Sequence, residues 1–184
     1  MAQLIRRCLI ENSRLEKIRA VRRNLSDASR YAQPSFIKGI EMSKLEPKEV
    51  VVGLVSHLDQ TMLTHDPDVL DTHPQKVTEI RPFVCVQVDG ERSVWAPLSS
   101  TYRRERLKIK DEWRQGGIDM WRNRKCYLND GANTYHGPIT SFIAASISEL
   151  TTPGTRSQMS QEGIDAVLSE IKKQKQRRIN GRDA

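Results

Sequence analysis

The chain has 184 residues, 37% of them hydrophobic and 29% charged, with a formal net charge of +7. That length holds one domain with a real core and an appendage. No apolar run approaches the roughly 20 residues that span a bilayer, and the opening MAQLIRRCLIENSRLEKIRAVRRN contains no uninterrupted apolar stretch of signal-peptide type.

Charge and cysteine usage narrow the class further. Residues 1–23 carry seven basic and two acidic groups, residues 103–125 carry nine and four, and residues 171–184 carry six and one, so each block is net +5. The two stretches between them are each net −4. Three basic blocks on a small protein point to a polyanion as partner. Cys8, Cys85 and Cys126 are scattered, odd in number and form no CxxC pair. That pattern predicts buried thiols in a reducing cytoplasm and argues against a cysteine zinc site.

In chain order, residues 4–23 predict an amphipathic basic helix, because Leu4, Ile5, Cys8, Leu9, Leu15, Ile18 and Val21 recur at threes and fours among arginines. The pattern leaves three roles open: packing on the main domain, pairing with a partner, or touching RNA. YAQPSFIKGIEMSKLEPKE mixes Pro, Gly and charge and reads as a connector. EVVVGLVSHL, from Glu49 to Leu58, is short and β-branched and predicts a strand. DQTMLTHDPDVLDTHPQKVTE then predicts a polar loop of about 20 residues, a length that is uncommon inside a compact domain and often functional.

RPFVCVQVDGERSVWAPLSS, from Arg81 to Ser100, predicts a hairpin turned at Asp89-Gly90, since glycine tolerates positive φ. A three-residue loop pairs Val84 with Ala96 and sets Arg81 opposite Ser99. Two- or four-residue loops move that partner to Leu98 or Ser100. In every register Arg81 and the serines share the open end of the hairpin. Pro82 and Pro97 each remove a backbone donor and favour strand ends or edges.

The basic segment TYRRERLKIKDEWRQGGIDMWRNRKCYL follows, with RLKIK alternating like a strand and RQGG like a turn. Another strand is expected near Ile139–Ile147. The last element is a helix with Ser160 as N-cap, a hydrophobic staple from Met159 to Ile164, and the stripe Ile164, Val167, Leu168, Ile171; it is expected to fray into KKQKQRRINGRDA. A β-rich middle with helical ends predicts a mainly β protein with flanking helices (α+β), built as a small barrel. The expected division is a basic helix and connector over 1–48, a barrel with its helix over 49–174, and a basic tail over 175–184.

At RPFVCV and APLSS the chain resembles the MazF/PemK/Kid family of toxin ribonucleases. In that family an Arg-Pro dipeptide opens an apolar strand and a Pro-x-Thr/Ser-Thr/Ser stretch closes the next. The resemblance covers about Val50 to Lys173. The family's usual G-D-(V/I)-(W/V) opening is replaced here by VVGLVSHL, the loop before Arg-Pro is longer, and residues 1–48 have no counterpart. The resemblance implies an SH3-like barrel, a homodimer, a protein antitoxin as partner, and metal-independent, cofactor-free cleavage of single-stranded RNA. It maps the family's arginine to Arg81 and its hydroxyl residue to Ser99.

The chemistry suits those residue types. RNA supplies its own nucleophile in the 2′-OH, so the protein needs a base, an acid and donors for phosphorane charge. A guanidinium fork matches phosphate oxygens, and a serine hydroxyl adds a donor. Arg81 and Ser99 are thus the expected catalytic pair. His73 is the first candidate base because histidine titrates near neutral pH, followed by His57 and His65. Ser100, Arg103, Arg104, Arg106 and Lys108 are expected to contact RNA, and Trp113, like Trp121, either stacks on unpaired bases or packs in the core.

Other constellations carry less. His57, His65 and His73 lie eight residues apart among Asp59, Asp66, Asp68 and Asp71, a spacing that matches no standard metal motif. There is no P-loop, GxGxxG, GxSxG or HExxH. Two rival readings stay open beside the nuclease: a non-catalytic nucleic-acid-binding barrel, and a protein-inhibiting toxin of CcdB type.

Overall fold

The computed structural model describes residues 41–72, 79–117, 119–129, 133–151 and 156–181, all within one unit spanning 39–184. The expected N-terminal helix and His73 lie outside the described residues. The strands are β1 (Glu41–Ser43), β2 (Val55–Asp59), β3 (Leu70–Asp71), β4 (Ile80–Asp89), β5 (Arg92–Ser99), β6 (Arg114–Gln115), β7 (Tyr127–Leu128), β8 (Tyr135–Pro138), β9 (Glu149–Thr151) and β10 (Gln158–Met159). The helices are α1 (Gln60–His65), α2 (Asp119–Asn123), α3 (Ile139–Ala145) and α4 (Gln161–Asn180).

The protein is mainly β with helices on both faces of its sheet. Six strands form one antiparallel sheet in the order β2-β4-β5-β8-β3, with β7 also paired to β5. Short pairs β1–β9 and β6–β10 stand apart from it. Among the described residues the sheet does not close on itself, so the expected closed barrel is an open sheet.

The run Phe83-Val84-Cys85-Val86 is apolar on both pleat faces, which is the signature of a strand covered on both sides. Val84 and Val86 join Ala96, Leu98, Trp113, Ile164, Val167 and Ile171 in one core under α4. Phe83 and Cys85 join Trp95, Tyr135, Leu63 and Phe142 in a second core under α1 and α3. Burying Phe83, Trp95 and Leu98 in full stabilises the sheet by about 1.5–3 kcal/mol per side chain.

The hairpin turn has two residues, Gly90 and Glu91, because Asp89 pairs with Arg92, and Gly90 takes φ +55 there. An irregularity between Cys85 and Gln87 then shifts the register by one, so that Val84 faces Ala96 as a three-residue loop would also have placed it.

Other expectations shift. β2 starts only at Val55, since Gly53 turns the chain at φ +92 before it. The expected long loop contains α1, capped by Asp59 Oδ1 accepting from Thr61 N at 2.8 Å, and the short β3. The strand expected near Ile139–Ile147 is α3 instead, with Phe142 and Ala145 buried three apart on one helical face. RLKIK forms no full strand: Lys108 makes an isolated bridge with Tyr127, Leu107 O accepts from Leu128 N and Ile109 N donates to Cys126 O, both at 2.9 Å. The last helix does not fray after 173. Ser160 caps it through Gly163 N, and the helix runs on to Asn180, taking in most of the expected tail.

Candidate functional site

The β4–β5 pairing ends at Phe83 and Pro97. Beyond that point Arg81 is registered with Leu58 of β2, whereas Ser99 is registered with Tyr127 of β7. The two ends of the hairpin are thus drawn to opposite neighbours, and their side chains acquire different partners.

Arg81 ion-pairs through Nη2 with Glu79, and its side chain is 16% exposed. Its Nε is buried without a hydrogen-bond partner. Its charge is the weakest of the influences on the buried Tyr135 hydroxyl and acts to lower that pKa. Burial pushes that phenol up to about 12, and it accepts a hydrogen bond from Gln60 Nε2. Among the described residues, no hydrogen bond joins Arg81 to Ser99 or Ser100.

Ser99 meets a different guanidinium. Its Oγ accepts from Arg106 Nη1 at 3.1 Å and from Thr101 N at 3.1 Å, while the same Arg106 nitrogen donates to Thr101 O at 2.9 Å. Arg106 thereby closes the turn that follows β5 and carries its charge to the end of the strand. There it lines a cleft of about 300 Å³ with Arg103, Glu105, Gln174, Arg177 and Arg178. Four arginines and one carboxylate share this cleft.

The local sequence explains the geometry. Gln174, Arg177 and Arg178 fall at i, i+3 and i+4 of α4, hence on one helical face. Ile171, one turn earlier, is buried in the core and aims that face at the protein. Arg178 Nη1 donates to Asn133 Oδ1 at 3.0 Å, fixing the far wall. Next along the chain, Thr134 Oγ1 lies 2.8 Å from His136 Nε2. Burial, helped by the charges of Lys175 and Arg92, lowers the pKa of His136 below its ordinary value and favours the neutral ring.

The expected contact residues divide accordingly. Arg103 and Arg106 line the cleft; Ser100, Arg104 and Lys108 are exposed and do not line it. Trp113 corrects the stacking expectation. It is 4% exposed and packed beneath α4 with Ile164 and Val167, since the segment folds back under the helix and an apolar ring is worth more there than in water. Trp121 is buried likewise, donating Nε1–H to Gln158 O at 3.2 Å. Among the described residues the exposed aromatic is Tyr102, whose ring makes an edge contact with Tyr127, centroids 5.7 Å apart.

Sequence reading missed Arg177, Arg178 and Tyr102. The i, i+3, i+4 spacing of Gln174, Arg177 and Arg178 was a usable signal, hidden by treating the segment as a tail.

The remaining candidates are tied locally. Glu149 accepts from Ser56 Oγ, His57 N–H and the His57 ring along the outer side of β2, and His65 Nδ1 lies 2.8 Å from Thr61 O. Burial pushes the Cys85 thiol up to about 12 and the Cys126 thiol to about 11, which makes both poor nucleophiles. Among the described residues no group of three His, Cys, Asp or Glu is placed to hold a metal ion, and no helix is long and apolar enough to cross a membrane.

The chain matches no protein-family model, no curated protein and no solved structure.

Proposed function

We propose that this protein binds the phosphodiester backbone of RNA in the cleft formed by Arg103, Arg106, Arg177 and Arg178. The single observation behind this reading is the convergence of four guanidinium groups, from a loop and from a helix, on one opening. Guanidinium forks suit phosphate oxygens, and a polyanion is the partner that a +7 chain attracts. The test is fluorescence anisotropy with a labelled RNA over a range of salt. Binding should weaken linearly on a log–log plot, and Arg103→Ala combined with Arg177→Ala should reduce the slope by about 1–2. A flat salt dependence, or no change in the double variant, overturns the reading.

A second reading adds cleavage of the MazF/PemK type, favoured by the Ser99–Arg106 bond beside the cleft. Here the 2′-OH attacks the adjacent phosphorus and loses its proton, the P–O5′ bond breaks, and the 5′-oxygen takes up a proton to leave a cyclic phosphate. Arg106, with or without Arg81, would stabilise phosphorane charge and Ser99 would donate a hydrogen bond. On this reading the chain is a toxin-like endoribonuclease, active in the cytoplasm as a homodimer and restrained by a protein antitoxin. RNA shortened in the presence of a chelator, but intact when 2′-deoxy residues are substituted, supports it. Growth arrest with intact RNA points to a protein-inhibiting toxin instead.

A further inference from the structure

We infer that Tyr102 is a base-stacking platform that makes the arginine cleft selective for unpaired RNA. The inference rests on the RNA reading above and names the class of RNA.

Tyr102 is 68% exposed, an unusual setting for a ring in a chain that is only 5% aromatic. Its neighbours in sequence belong to the cleft: Arg103 lines it, and Thr101 O holds Arg106 in place. The ring is also anchored. Tyr127, buried and paired to Ser99 in β7, meets it at 5.7 Å with the planes 65° apart. An edge contact of this kind fixes a ring without covering both of its faces. Tyr102 does not itself line the cleft but is next in the chain to Arg103, which does; we place a base on its ring and that strand's phosphate among the arginines.

That combination of a cationic groove and an aromatic ring is the one single-strand binders require, and each stacked base is worth about 1–3 kcal/mol. A paired base has both faces occupied by its own neighbours and gains nothing from the ring. Trp113 and Trp121 cannot serve, because both are buried.

The experiment compares three labelled probes: single-stranded RNA, the same sequence as a duplex, and an abasic ribose-phosphate strand. Tyr102→Ala should weaken single-stranded binding about 5- to 150-fold and leave the abasic strand unchanged. Tyr102→Phe, which keeps the ring, should retain wild-type affinity for all three. Arg103→Ala combined with Arg177→Ala should weaken every probe. If that double variant weakens binding while Tyr102→Ala does not, the platform is overturned and the RNA-binding cleft stands. If neither has an effect, both fall. Equal losses of Tyr102→Ala on the abasic and normal strands would also overturn the inference, since the ring would then act through the loop and not through a base.

Discussion

Ser99 and Arg106 are joined by a hydrogen bond of 3.1 Å, seven residues apart, across the turn that leaves β5. The bond puts a hydroxyl and a guanidinium at the edge of a cationic cleft, and it separates two properties that substitutions can read. Arg106→Ala should weaken RNA binding about 10-fold at low salt and lower the salt slope by about 1. Arg106→Lys keeps the charge and loses the fork, so it should recover the slope but not the full affinity. Ser99→Ala should leave affinity nearly unchanged. If cleavage occurs, the same change should slow it by about 100-fold, measured on a labelled RNA at saturating protein.

Arg81 is expected to behave differently, because its Nη2 is engaged by Glu79 and it does not line the cleft. Arg81→Ala should leave RNA affinity unchanged. Glu79 is mostly exposed, so Glu79→Gln should alter stability by no more than about 1 kcal/mol, read as a urea midpoint. A cleavage assay on Arg81→Ala decides its catalytic role: loss of cleavage with full binding would assign it to the transition state.

Among the described residues the most deeply buried cation in an ion pair is Arg114. Its side chain is 1% exposed and donates to the carbonyls of Ile109, Trp121, Arg122 and Arg124, with the guanidinium 5.5 Å from the Trp121 ring. Three of those carbonyls close the end of α2, where backbone acceptors lack helical partners. Arg114→Ala strands four acceptors and should cost about 2–4 kcal/mol, a fall in Tm of about 5–15 °C. Arg114→Lys should recover only part of it, having no planar fork.

Acid should destabilise the packing around His136 in β8. Its folded pKa lies below the ordinary 6.5, first through burial and then through Lys175 and Arg92. The unfolded chain therefore binds the proton more readily. Stability is complete above the unfolded value and declines as pH drops through about 6.5 towards the folded pKa. His136→Gln should flatten this part of a denaturation-midpoint profile. A second acid limb comes from Glu49, held below its ordinary value chiefly by its hydrogen bond with Arg156, and opposed by burial. Its contribution is present above the unfolded carboxylate value and is lost only as pH falls through the lower folded one, so Glu49→Gln should affect the profile at more acidic pH than His136→Gln.

Local signals accounted for much of the scaffold. The hairpin around Asp89-Gly90 and the Ser160 cap each depend on neighbours close in sequence, and both appear in the fold. Segments whose state depends on distant packing were misread. Ile139–Ala145 is β-branched at its start, yet it is helical because Phe142 and Ala145 must both reach the second core. The candidate site shows the same division. Arg103 and Arg106 were legible as basic residues after an apolar strand; nothing local said that α4 would return across the chain to set Arg177 and Arg178 beside them.

By itself, the sequence determined the positive charge, the central hairpin, the capped helix and the placement of polar residues at the end of β5. Composition and short-range periodicity are enough for these. Only the tertiary structure decided which guanidinium meets Ser99, which aromatic stays in water and which residues form a cleft. The reason is that β4 and β5 part beyond Phe83 and Pro97, each captured by a different outer strand. That choice is made by the neighbours and leaves Ser99 to Arg106, whereas Arg81 takes the local partner the sequence already offered, Glu79 two residues away.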